Sequence, residues 1–187
     1  MSNKNNINQR VMLTKRLISE ALLGMLKTRN ITKISIRELC QIAGINRTTF
    51  YNHYGSQYDV LNEIADTYIQ STSFAIINGL EAGKNIDECL TEVLQYIKDN
   101  LEFAKLVLNQ DNYDLTSYIT ISLPQFDQMI IKHLPEALDL ANKKAIASYV
   151  QYGSIRLIKE WILSDCLKSP AEKAKLILYI AGRTIRK

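Results

Sequence analysis

Apolar residues return every three or four positions through most of the 187-residue chain and almost nowhere every second one. That period belongs to helices with one buried face rather than to half-buried strands. Residues 9–29 carry Leu17, Ile18, Ala21, Leu22, Met25 and Leu26 on such a stripe and predict a first helix. Two short helical segments follow within residues 35–54. A longer helix is then expected from near Ser56 to about Gly79, with Val60, Leu61, Ile64, Ala65, Tyr68 and Ile69 inward. Glu81-Ala82-Gly83-Lys84-Asn85 reads as a loop. From Ile86 onward the helical spacing resumes, with breaks near Asn100, Asp111, Pro124 and Pro135. Ile119-Thr120-Ile121 is the single β-like run, so the strands of an α/β enzyme are missing and the expected fold class is all-α. There is no internal repeat and no clear linker. Residues 1–8, rich in Asn, predict a disordered arm.

The most specific stretch is Ser35 to Tyr54. Ser35 and Glu38 have the spacing of a capping box, in which each side chain bonds the other's free backbone N–H. Ile36, Leu39 and Ile42 give the first short helix an apolar stripe. Gly44 supplies the left-handed residue that ends a helix, and Asn46 is a good N-cap for the next one. Two short helices joined by so tight a turn are the layout of a helix-turn-helix, whose second helix enters the major groove of DNA.

At about 100° per residue, Phe50 and Tyr54 share one side of that second helix and should turn inward. Thr48 and Asn52 lie opposite, flanked by Arg47, Thr49, Tyr51 and His53. Arg and Asn bond bidentately to guanine and adenine edges, and a Thr methyl suits a thymine methyl. Tyr51 and His53 carry donors at the margin of the face, where phosphates would lie. With Ser35 at the start of the first motif helix, the candidate DNA-binding set is Ser35, Arg47, Thr48, Thr49, Tyr51, Asn52 and His53. On pattern alone the same face also fits an ordinary surface helix with its polar side outward.

The stretch resembles the TetR/AcrR family of bacterial transcriptional regulators. The resemblance is carried by Ser35, by Ala43-Gly44-Ile45 in the turn, and by Thr49-Phe50-Tyr51-Asn52-His53-Tyr54. It spans roughly residues 10–64, about a third of the chain. One departure lies just downstream, where the family usually carries lysine before its connecting helix and this chain has Gly55-Ser56-Gln57-Tyr58-Asp59. The resemblance implies a helix-turn-helix DNA-binding domain over 1–55 and a larger helical ligand-binding and dimerisation domain over 56–187.

Charge agrees with a DNA-binding end. Residues 1–61 hold nine Lys/Arg against three Asp/Glu, while the remainder holds 14 basic and 16 acidic residues. A basic head on a faintly acidic body is the footprint of docking onto phosphates. Such an asymmetry alone would equally describe a solvated face. The polar N-terminus lacks the apolar core of a signal peptide, and no apolar run reaches the roughly 18 residues of a spanning helix. Cys40, Cys89 and Cys166 are widely separated and, with only two histidines, show no metal spacing. They read as buried thiols in a cytoplasmic protein. No metal and no cofactor is expected.

Near the C-terminus, Ile146, Tyr149, Val150, Gly153, Leu157, Ile158, Trp161 and Ile162 form one wide stripe, with Gly153-Ser154 allowing close backbone approach. Ser169-Pro170 starts a last helix that buries Ala174, Ile177, Leu178, Ala181 and Ile185, with Pro170 near its first position. These two helices could simply complete the core; the resemblance implies instead that they pair with their mates in a homodimer. Between head and last helices lie Tyr96, Phe103, Tyr113, Tyr118, Phe126, Met129 and His133, near Tyr149, Tyr152 and Trp161. Aromatic walls suit a ligand pocket, yet an aromatic set at helical spacing is more often plain core, and no ligand contact can be named.

No Ser/His/Asp, Cys/His or paired-carboxylate constellation and no Gly-rich phosphate loop is visible, so catalytic residues are none and an enzyme is not expected. The expected function is a sequence-specific transcriptional regulator. It would bind a pseudo-palindromic double-stranded operator as a repressor and be released by a small-molecule effector, without a membrane partner. The alternatives are control by a protein partner, or action as an activator.

Overall fold

The computed structural model describes residues 2–108, 110 and 124–185, and over them every regular element is a helix. In order they are α1 (Ser2–Leu26), a 3-10 turn (Ile31–Lys33), α2 (Ile36–Ala43), α3 (Arg47–Tyr51), α4 (Gln57–Glu81), α5 (Ile86–Asp99), α6 (Leu101–Leu108), α7 (Pro124–Lys132), α8 (Leu140–Leu163) and α9 (Pro170–Ile185). The expected break at Asp111, the run Ile119-Thr120-Ile121, and Tyr113 and Tyr118 lie outside the described residues. The chain divides into two compact units, Met1–Tyr68 with Asn109–Tyr113, and Ile69–Leu108 with Asp114–Lys187.

In the first unit α1 begins at Ser2, where an arm was expected over 1–8, and ends three residues before the anticipated 29. No Gly or Pro interrupts residues 2–23, so an established helix can propagate back toward the N-terminus one residue at a time. Its end is a turn in which the Thr28 and Arg29 N–H groups both donate to the Met25 carbonyl. Ile18, Leu22, Met25 and Leu26 are buried as the stripe requires, but Leu17 is exposed. A stripe centred on Ile18, Leu22 and Met25 leaves position 17 on its flank. The core continues through Ile31, Ile34, Leu39, Phe50, Tyr54, Val60 and Leu61. In α2 the buried residues are Leu39, Cys40 and Ala43, and Ile42 is outside the core. Ile42 lies about 120° round the helix from Ile36, whereas Leu39, Cys40 and Ala43 all lie within about 60° of it.

In the second unit α5 packs on α9, α9 on α8, α8 on both α6 and α7, and α5 on α6. α5 opens with a second capping box, Asn85 with Glu88. Gly79, expected to end the connecting helix, lies within it two residues before the end of α4. A side chain there would meet the Cys89 Sγ at 2.6 Å, so this glycine permits a close approach of α4 and α5. After α8 the chain turns through Asp165 and Cys166, both left-handed at φ 59° and 50°. The buried Trp161 spans this turn, its indole N–H donating to the Lys168 carbonyl at 2.8 Å. Ser169 and Glu172 cap α9, each bonding the other's backbone N–H. All three cysteines are free and buried. Burial pushes the Cys40 and Cys166 thiols up, which keeps them protonated.

Tyr149 and Gly153, placed inward by the sequence reading, are exposed on α8. The buried residues of that helix are Ala147, Val150, Gln151, Trp161 and Ile162. Tyr149, Tyr152, Gly153, Arg156 and Leu163 share its other face at about 100° per residue. On α9, Ala174 and Ile177 are buried while Leu178 and Ala181 are half-buried, and the Ile185 side chain lies outside the described set. Leu176, Tyr179 and Ile180 are exposed together, with the Arg183 guanidinium 5.1 Å from the Tyr179 ring centre. No helix of the described residues is long and apolar enough to cross a membrane.

Candidate nucleic-acid interface

The two motif helices are set by their caps. Ser35 Oγ accepts from the Glu38 N–H at 3.2 Å, and Glu38 Oε2 accepts from the Ser35 N–H at 3.2 Å, which completes the capping box. Glu38 also takes an ion pair from Arg29 at 3.1 Å. The Ser35 bonds, and then Arg29, hold its carboxyl below the ordinary glutamate range. α2 ends at Gly44, left-handed at φ 68°, with the Gly44 and Ile45 N–H groups returned to the last carbonyls of the helix. Asn46 then caps α3 by accepting from the Thr49 N–H at 2.7 Å.

α3 is shorter than its sequence pattern implies. It ends at Tyr51, with Asn52 as C-cap, and His53 and Tyr54 lie beyond it. The His53 and Tyr54 N–H groups both return to the Phe50 carbonyl, tightening the last turn. Tyr54 is thereby carried inward, its ring 5.8 Å from that of Phe50 and beneath the Lys15 ammonium. Lys15 in turn pairs with Glu63 of α4 at 2.6 Å. Burial, and then the neighbouring Glu63 carboxylate, push the Tyr54 phenol strongly upward. The inward aromatic pair read from the sequence is therefore the anchor of α3.

On the outer side Arg47, Thr48, Tyr51 and Asn52 are exposed, and Thr49 and His53 are half-buried. The Arg47 guanidinium stacks 5.9 Å from the Tyr51 ring centre and reaches its hydroxyl at 3.5 Å. An Arg so placed presents its donor fork outward with little loss of freedom. Ser35 is exposed at the start of α2 but its hydroxyl is engaged by Glu38. Ile42, assigned to the inward stripe of α2 by its apolar character, stands exposed. Asp59 Oδ2 accepts from the Gly55 and Ser56 N–H groups at 2.8 and 2.9 Å, so a carboxylate already occupies the start of α4 where the lysine of the resembled pattern is missing.

Among the described residues no group of His, Cys, Asp and Glu is arranged to hold a metal. His133 Nδ1 is bonded to the Met129 carbonyl at 2.8 Å on the surface. Of the aromatic set considered as pocket walls, Tyr96, Tyr149 and Tyr152 are exposed and Trp161 is engaged in the turn after α8.

Residues 84–182 match a TetR C-terminal family described as the transcriptional regulator C-terminal region. This is just over half of the chain. The chain belongs to the TetR family of transcriptional regulators. Solved structures agree on the fold over almost its whole length. A TetR transcriptional regulator from Streptococcus agalactiae aligns with a TM-score of 0.70 at 17% identity, covering 96% of this chain and 99% of its own. Thermus thermophilus FadR, a TetR-family repressor in complex with lauroyl-CoA, aligns at 0.59 and 15% identity, covering 92% and 95%. The dihydroxyacetone kinase operon activator DhaS aligns at 0.56 and 19% identity, covering 93% and 97%. No curated protein sequence matches the chain.

Proposed function

We propose that this TetR-family regulator is a repressor that grips a pseudo-palindromic operator through α3 and is released by a small-molecule effector. The observation that carries the DNA-binding part is the exposed row Arg47, Thr48, Tyr51 and Asn52 on a short helix anchored from behind by Phe50 and Tyr54. Residues 1–55 act as the DNA-binding domain and 56–187 as the ligand-binding and dimerisation domain, in a cytoplasmic protein. The exposed apolar faces of α8 and α9 support dimerisation, since Tyr149, Tyr152, Leu176, Tyr179 and Ile180 all remain exposed in the single chain. Effector control is supported by FadR, which is a repressor in complex with lauroyl-CoA. DhaS, an operon activator of the same fold, favours activation as the second reading.

A gel-shift series on a duplex selected by the wild-type protein tests the groove assignment. Asn52→Ala is expected to cost about 1–3 kcal/mol on that duplex and to relax preference at one base position. Arg47→Ala should behave alike. Tyr51→Phe and His53→Ala should weaken all duplexes more evenly, as losses of phosphate contacts do. Wild-type affinity in all four variants would refute the assignment.

A further inference from the structure

The turn that follows α1 is held by a side chain from far along the sequence. Ile31, the first residue of the 3-10 turn, is fully buried, and its backbone N–H donates to Oε1 of Gln110 at 2.9 Å across 79 residues. Gln110 is itself buried. A buried backbone N–H needs a partner. Asn30, which caps this turn, accepts from the Thr32 N–H instead, so the Ile31 donor depends on Gln110. The turn feeds directly into the DNA-reading motif. The N–H of buried Ile34 closes on the Ile31 carbonyl, and the next residue, Ser35, is the N-cap of α2. A displacement at Ile31 is therefore passed to the start of α2 within a single turn.

We propose that Gln110 is a positioning residue for DNA recognition. Its side-chain carbonyl sets the turn between α1 and α2 from which the helix-turn-helix starts. The proposal rests on the reading of the protein as a DNA-binding regulator. What the site needs is an oxygen acceptor at the reach of a Gln side chain, not merely a filled volume.

The test uses the full chain with Gln110→Leu, which fills the space without an acceptor, and Gln110→Glu, which keeps an oxygen at the same reach. Two quantities are read: amide hydrogen exchange at Ile31, and affinity for the strongest duplex that the wild-type protein selects from a random pool. In Gln110→Leu, exchange at Ile31 should quicken and affinity should fall, each by about tenfold, as expected for a buried donor left unpaired. Gln110→Glu should restore most of both. If Gln110→Leu fails to fold, Gln110→Asn withdraws the acceptor by one methylene and should show the same two losses in smaller measure. Wild-type exchange and affinity in the Leu variant, or equal impairment of the Leu and Glu variants, would overturn the role assigned to Gln110. A wild-type chain that enriches no duplex would instead sink the regulator reading and this role with it.

Discussion

Single residues at the helix ends decide where the DNA-reading side chains stand. Ser35 and Glu38 close a reciprocal cap, and Arg29 adds its charge to the same carboxylate. Replacing Ser35 with Ala removes the hydroxyl acceptor and should cost about 1 kcal/mol of stability, read as a lowered midpoint in chemical denaturation. The pH dependence has a definite sign. Glu38 is held below the ordinary glutamate range in the folded state. Its contribution is therefore complete above the unfolded carboxylate value of about 4.3 and is lost as pH falls through the folded one. Glu38→Gln should flatten the loss of stability below about pH 4, and an unchanged acid limb would show that other carboxylates carry it. Gly44 is the other decisive residue. Open space surrounds its absent side chain, so only its φ of 68° forbids substitution. Gly44→Ala should then destabilise through backbone strain and Gly44→Asn less so, because Asn tolerates the left-handed region.

Elements follow from apolar period and caps, and here the sequence was most legible. The helix-turn-helix was visible because its determinants are local: a capping box, a left-handed glycine, an Asn cap and an i, i+4 aromatic pair all lie within residues 35–54. The early end of α3 was not visible, because it depends on Tyr54 being drawn under Lys15 and beside Glu63, groups from α1 and α4. Leu17 and Ile42 were assigned inward since apolar character marks a candidate stripe without fixing its centre, and the stripe centres on neighbours one position away. Gly79 read as a helix end because glycine is a common terminator, whereas here it makes room for Cys89. That close contact is testable. Gly79→Ala should destabilise the second unit by roughly 1–3 kcal/mol. Cys89→Ala, by deleting the sulfur that the new methyl would meet, should recover much of the loss. Additive effects of the two substitutions would show that they do not meet.

For the whole molecule, the exposed faces of α8 and α9 are the feature that a single chain leaves unexplained. The sequence stripe there placed Tyr149 inward because a helix apolar on two sides has no unique inner face. Tyr149, Tyr152 and Leu163 stand exposed on α8, and Leu176, Tyr179 and Ile180 on α9. If they form the interface between two copies, Tyr149→Asp or Tyr179→Asp should give a folded monomer in sedimentation, and operator binding should fall with the dimer. Wild-type protein that sediments as a monomer at micromolar concentration would contradict the assembly.

The central claim is that a pair of α3 helices reads a symmetric DNA site, and selection from a random duplex pool tests it most directly. The enriched sequence should be a pseudo-palindrome whose half-sites are separated by about one helical turn or a multiple of it, because a two-fold protein copies its symmetry into the DNA. The enrichment should disappear when Asn52 and Arg47 are both replaced with Ala. Failure to enrich any duplex, or enrichment that persists undiminished in that double variant, would contradict the account.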